Sequence, residues 1–181
     1  MVPRMESVEP PRAGDEVAAV LGELDRVRSY LAWKCGDLDA AGMRARLSPS
    51  TMTLGGLLKH LALVEDTHFA RLWSATEPGP PWNAVDWDAD RDWEWNSASD
   101  DSPEELMSLW QSSVERSRAV VSSALASGGL DQLGAHVPSD GTESPNLRRI
   151  LLDLIEEYAR HVGHADLIRE SVDGLTGEDP H

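Results

Sequence analysis

Apolar residues recur every three or four positions in four separate segments of this chain, and this pattern limits its fold more than any other feature. In the first segment, Val17, Leu21, Leu24 and Leu31 share one face at helical spacing. No segment shows the strict polar and apolar alternation of a half-buried strand. The spacing therefore predicts an all-α protein with helices over residues 15–34, 53–74, 103–127 and 145–171.

Residues typical of helix ends support these bounds. Ser102 and Ser144 each precede a proline, and a serine N-cap followed by proline at the first helical position is a common beginning. Either Thr51 or Thr53 can cap the second helix. A glycine pair that starts at Gly128 ends the third.

Two connections, residues 76–101 and 128–143, are longer than most loops in a compact domain. Their length favours a four-helix bundle with long crossover loops over a simple up-and-down arrangement. We assign the bundle to residues 15–175. Residues 1–14, rich in proline and charge, are predicted to form a disordered arm, and residues 176–181 a C-terminal tail.

Composition excludes several classes of partner. The chain has 181 residues, enough for one domain, and a formal net charge of −16 from 32 acidic and 16 basic residues. This charge argues against nucleic acid and against an anionic membrane surface as partners. The single cysteine, Cys35, excludes an intrachain disulfide, and no apolar run resembles a signal peptide or a membrane span. A cytoplasmic location is therefore predicted, with Cys35 as a bystander.

Polar residues interrupt the apolar face of the last helix. Spacings of 4, 3, 4, 3 and 4 connect six positions on that face: Ile150, Leu154, Glu157, His161, His164 and Ile168. Burying a carboxylate costs several kcal/mol unless it is paired or bound to metal. Glu157 and His161 are therefore candidates for an internal salt bridge, or for two ligands of a metal site that a facing helix completes.

The second helix offers two histidines as the third ligand. On a helical wheel His68 lies near the centre of the apolar face, whereas His60 lies at its edge beside Val64. Wheel geometry alone therefore favours His68.

The tryptophan-rich crossover, residues 76–101, carries a weaker motif. Acidic residues alternate at Asp86, Asp88, Asp90 and Asp92. A calcium loop would need glycine where Arg91 stands and glutamate where Ser97 stands, so we do not predict calcium. The tryptophans are expected to pack onto the bundle, with Trp93 or Trp95 as a candidate pocket wall.

Two helices carry a family resemblance. "TLGGLLKHLALVEDTHF" and "LRRILLDLIEEYARHVGHADLIRE" resemble the DinB-like superfamily of four-helix-bundle metalloproteins. The similarity is to an actinobacterial branch related to mycothiol-dependent maleylpyruvate isomerases and bacillithiol transferases, and it covers most of residues 15–175. In this superfamily a histidine in a "GxLLxH" context corresponds to His60, and two ligands four residues apart on the last helix correspond to Glu157 and His161. Glu157 replaces the histidine of one branch and fits the isomerases.

The resemblance implies a role for each polar residue. His60, Glu157 and His161 would hold a divalent ion, with Zn²⁺ favoured and Ni²⁺ or Mn²⁺ as alternatives. His164 would orient a ligand or pass a proton. His68 joins the tryptophans as a candidate pocket wall, and the crossover would cover the site.

The resemblance also implies an activity. A low-molecular-weight thiol at the open metal position would be deprotonated and would attack a small electrophile. The Ala-, Arg- and Gly-leaning composition points to mycothiol as the thiol. Two alternatives remain open, a metal-dependent hydrolase of the same fold and a non-catalytic dimerising bundle. The predicted partners are small molecules, and a homodimer is compatible with them.

Overall fold

The computed structural model describes residues 9–178 and is built from helices. The six α-helices are α1 Glu16–Cys35, α2 Ala40–Arg44, α3 Leu54–Thr67, α4 Trp93–Asn96, α5 Pro103–Ser127 and α6 Leu147–Asp173. A π-helical segment, His68–Trp73, continues α3, and two 3₁₀ segments cover Trp82–Ala84 and Ser97–Ser99. Within residues 9–178 there is no strand, and one isolated bridge joins Leu133 and Asn146. The all-α prediction is confirmed.

The predicted arm and tail reach beyond the part of the chain that the structure describes. Residues 1–8 of the arm and 179–181 of the tail lie outside the described range. Inside it, Pro10 packs against α1, where a Cβ added to Gly22 would lie 2.8 Å from the Cβ of Pro10. The division into arm, bundle and tail stays a prediction.

Side-chain caps begin the four long helices. Asp15, Thr53 and Ser102 cap α1, α3 and α5, and Ser102 forms a reciprocal capping box with Glu105. The start predicted for the last helix at Ser144 was wrong. The cap is Asn146, whose side chain accepts the backbone N–H of Arg149.

The late start of α6 has a physical cause. Residues 144–146 are extended because they pair with the preceding segment: the N–H of Gly134 donates to the carbonyl of Pro145 at 2.8 Å, and the N–H of Leu147 donates to that of Gln132 at 2.9 Å. The Ser144 hydroxyl donates to the carbonyl of His136 and is not free to cap a helix.

The four long helices form the bundle around a leucine-rich core. Helix α1 packs mainly against α6, and α3 packs mainly against α5 while also meeting α6 and α1. Leu57, Leu61, Leu106, Ile150 and Leu154 are at most 1% exposed. Among residues 9–178, no helix combines the length and the hydropathy needed to cross a membrane.

A buried polar network connects all four long helices. Arg28 of α1 donates two hydrogen bonds of 2.8 Å to the carboxylate of Glu65 on α3. Tyr158 of α6 donates to the same carboxylate at 2.8 Å, and Trp110 of α5 donates to the Tyr158 hydroxyl at 2.8 Å. Burial first, and then the Glu65 carboxylate, raises the pKa of Tyr158 well above its usual value. The network fixes the rotation of each helix relative to the others.

The crossover between α3 and α5 is ordered rather than structureless. Trp82 donates from its indole N–H to Asp66 of α3 at 2.8 Å. Trp93 packs edge-on against Trp82 and Trp87 and lies under the ammonium of Lys59, 4.4 Å from the ring centroid. These contacts hold α4 against α3 and so fix the position of the residues that follow Trp93.

Candidate metal centre

Three polar side chains from α3 and α6 meet at one place. His60, Glu157 and His161 each offer a ligand atom, and these atoms all lie within 4.8 Å of one another. The Nε2 atom of His161 is 3.4 Å from the Oε2 atom of Glu157, and the rings of His60 and His161 meet edge-on at 4.9 Å between centroids. The structure thus brings together the three residues that the family resemblance selected.

His68, which the helical wheel favoured, does not join this cluster. The α-helical part of α3 ends at Thr67 and the chain continues as a π-helix, so an ideal wheel no longer describes its faces. The Nδ1 atom of His68 lies 2.8 Å from the carbonyl oxygen of Val64. Its side chain lines a separate cavity of about 710 Å³ beside Trp87 and Arg91.

Glu94 of the crossover contacts the first of the three residues. Its Oε1 atom lies 3.2 Å from the Nδ1 atom of His60, and the residue is 6% exposed. A carboxylate can only accept, so this contact places the imidazole proton on Nδ1 and leaves the Nε2 lone pair free. Its second oxygen, Oε2, is buried and has no hydrogen-bond partner among the described residues. The sequence analysis did not find Glu94.

His161 contacts two neighbours on α6. Its Nδ1 atom lies 3.3 Å from the Nδ1 atom of His164, while its Nε2 atom faces Glu157. Burial first, and then the positive charge that His60, His164 and Arg160 can carry, lowers the pKa of His161 to about 4. His161 is therefore neutral at physiological pH, as a metal ligand must be.

Trp95 covers the centre from the crossover. Its indole stacks on the ring of His60 with 4.6 Å between centroids, and its centroid is 6.1 Å from that of His161. Gly56, one turn before His60, makes this possible, because a Cβ there would lie 2.8 Å from the Cε3 atom of Trp95. Trp93, the other candidate wall, packs against the remaining crossover tryptophans instead.

The sequence model of a family described as Mycothiol-S-transferase matches residues 19–174. The chain belongs to this family. The mycothiol-S-transferase family lies within the DinB-like superfamily, so the resemblance seen in the sequence is confirmed. Among curated proteins, no relative matches the chain.

The donor set of this mycothiol-S-transferase family member fits a divalent ion. Two imidazoles and one carboxylate suit Zn²⁺ and equally suit Ni²⁺ or Mn²⁺. The Nδ1 atoms of His60 and His161 contact Glu94 and His164, and the Nε2 atom of His161 lies towards Glu157, so the two imidazoles and the carboxylate converge. The Glu157 side chain is 28% exposed, so the centre faces solvent on one side.

Proposed function

We propose that the chain is a metal-dependent transferase that joins the sulfur of mycothiol to a small electrophile. His60, Glu157 and His161 would hold the ion. The observation that carries the proposal is the convergence of two imidazoles and one carboxylate, whose ligand atoms all lie within 4.8 Å of one another, in a member of the mycothiol-S-transferase family. Family membership supports the thiol, and the donor geometry supports the ion.

The reacting sulfur comes from the substrate rather than from the protein. Cys35 is buried, and burial raises the pKa of its thiol to about 12, so it supplies no thiolate at neutral pH. A divalent ion in the centre lowers the pKa of a thiol that binds to it and so favours the thiolate. The sulfur forms a bond to the electrophilic carbon, and a leaving group departs with the electron pair of the broken bond.

Residues around the three ligands hold them in place. Glu94 fixes the tautomer and orientation of His60 through Nδ1, and the contact between the Nδ1 atoms of His164 and His161 orients the ring of His161. Trp95 shields the ring of His60 from water on the face that it covers. We also place the protein in a reducing compartment such as the cytoplasm, because mycothiol must stay in its thiol form.

The test combines metal analysis with kinetics. Protein purified without chelator or histidine tag should contain close to one divalent ion per chain, with Zn²⁺ favoured. It should couple mycothiol to a fluorogenic bimane electrophile faster than the uncatalysed reaction, and a chelator should remove this activity. Consumption of an electrophilic ester at the same rate with and without mycothiol would contradict the transferase and support the hydrolase.

A further inference from the structure

A polar cavity of about 420 Å³ opens beside the candidate metal centre. Trp95 connects the two, because the indole that stacks on His60 also lines the cavity. The other walls come from the segment before α3 and from the crossover. Most of the lining side chains end in hydrogen-bonding groups, among them Arg44, Arg46, Thr51, Asp92 and Asn96.

Several of these groups have no partner in the protein. Neither Arg44 nor Arg46 forms a side-chain hydrogen bond or an ion pair within residues 9–178, although most other arginines of this acidic chain are paired. The carboxylate of Asp92 accepts no hydrogen bond from the described residues either, although that of the nearby Asp90 accepts from the Asn96 amide at both oxygens. The cavity therefore presents unused donors and an unused acceptor together.

This mixture of charges selects a class of ligand. An anion would be attracted by the two guanidinium groups but repelled by Asp92. A cation would be attracted by Asp92 but repelled by the guanidinium groups. A hydroxyl group both donates and accepts, so a neutral polyol can satisfy both kinds of group. The indole of Trp95 adds an apolar surface for the C–H face of a sugar ring.

We propose that this cavity binds the carbohydrate part of the thiol substrate and so selects mycothiol over simpler thiols. The inference rests on the proposed function. Mycothiol is an N-acetylated cysteine joined by an amide bond to glucosamine, which carries an inositol. With the cysteine sulfur at the metal centre, the two hydroxyl-rich rings extend past Trp95 into the cavity.

Binding is tested first without any reaction. The probe is a sulfur-free mycothiol analogue with alanine in place of cysteine, and calorimetry measures its dissociation constant for the metal-loaded protein. Arg46→Ala and Asp92→Asn should each weaken binding about tenfold or more, because each removes the charge from a hydrogen-bonding partner of the ligand. The control is Arg91→Ala, which removes the same charge as Arg46→Ala but at a residue that lines the other cavity. Equal affinity in all four proteins, or no binding to the wild type, overturns the inference.

Selectivity is tested second. The ratio of kcat/KM for mycothiol to that for N-acetylcysteine, which lacks the two rings, should fall about tenfold or more in Arg46→Ala and Asp92→Asn. Metal content should stay at the wild-type level. If mycothiol is required but the ratio does not change, the cavity assignment fails and the transferase stands. If the analogue binds as described but the wild type transfers no thiol, the cavity assignment stands and the transferase fails.

Discussion

The Oε1 atom of Glu94 lies 3.2 Å from the Nδ1 atom of His60, so a four-residue helix in the crossover orients a candidate ligand on α3. The two residues are 34 positions apart in the chain. The crossover therefore does more than connect two helices, because it sets which imidazole nitrogen is available to a metal ion.

Removing the Glu94 side chain should lower the metal affinity of the centre without abolishing metal binding. Glu94→Ala leaves the Nδ1 proton of His60 without an acceptor, and loss of such a partner usually costs roughly 10–100-fold in metal affinity. Glu94→Gln should retain part of the affinity, since an amide oxygen can still accept. Competition with a chromophoric chelator measures both, with the exposed Glu115→Gln as control. Wild-type affinity in Glu94→Ala would show that the contact has no role in binding.

Substitution of the candidate ligands should have effects that substitution of His68 does not have. His161→Ala should remove metal and thiol transfer together, because two remaining ligands rarely hold a divalent ion tightly. Glu157→Gln should lose less, and His164→Ala should retain metal while losing roughly 10–100-fold in rate. His68→Ala is the matched control and should keep its metal, since His68 lines a separate cavity. Full metal content in His161→Ala would refute the assignment.

Gly56 and Trp95 should be energetically coupled. A Cβ at position 56 would lie 2.8 Å from the indole, so Gly56→Ala should destabilise the protein by about 1–3 kcal/mol. In a Trp95→Ala background the same change should cost less, because alanine favours helix and only the contact with the Thr53 hydroxyl at 3.1 Å remains. Gly163→Ala on α6, where a Cβ meets nothing within 4 Å, should be stabilising in the wild-type background. Denaturant unfolding measures all four variants, and additive effects at positions 56 and 95 would argue against the contact.

The metal-free protein should lose stability as the pH falls because of His161. Its pKa is about 4 in the folded chain against an ordinary 6.5. Between these two values the unfolded chain binds a proton that the folded chain does not, so the free energy of unfolding decreases as pH falls through this window. Chelator-treated His161→Gln should show a smaller decrease from neutral pH to about 4. Parallel pH profiles for the two proteins would contradict this assignment.

The buried network should be far more sensitive to substitution than a surface ion pair. Glu65→Ala removes the buried partner of the Arg28 guanidinium and leaves it only the contact with Asp25 at 3.2 Å, and loss of a buried partner costs about 3–5 kcal/mol. Asp153→Ala breaks the exposed pair with Arg149 and should cost less than about 1 kcal/mol. Thermal or denaturant unfolding compares the two, and similar small losses would mean that the network is not important for stability.

Sequence periodicity predicted the four long helices well, because their apolar faces repeat over several turns. It could not predict α2, whose five residues are too few to show a period, nor the start of α6, where pairing with residues 132–134 competes with the Ser144 cap. The helical wheel also gave the wrong position for His68, because it assumes a constant rotation per residue and the helix changes from α to π at this residue.

The ligands and their surroundings were not equally predictable. Glu157 and His161 interrupt an apolar face and so are visible in the sequence, and the "GxLLxH" context pointed to His60. Glu94 and Glu65 look like ordinary surface glutamates because their partners lie far away in the chain. Glu65 meets Arg28 across 37 positions and Tyr158 across 93. Such contacts depend on tertiary packing, and no local pattern indicates them.

The hydrogen bonds of Tyr158 have a consequence for the residue that precedes it. Tyr158 is anchored to Glu65 and Trp110, so these hydrogen bonds restrain rotation of α6 about its axis and set the backbone positions of Glu157 and His161 without an ion. The entropy of ordering the donors is therefore lost when the chain folds rather than when metal arrives. Ions should exchange at this centre without unfolding the helices, and the empty and loaded proteins should share one backbone.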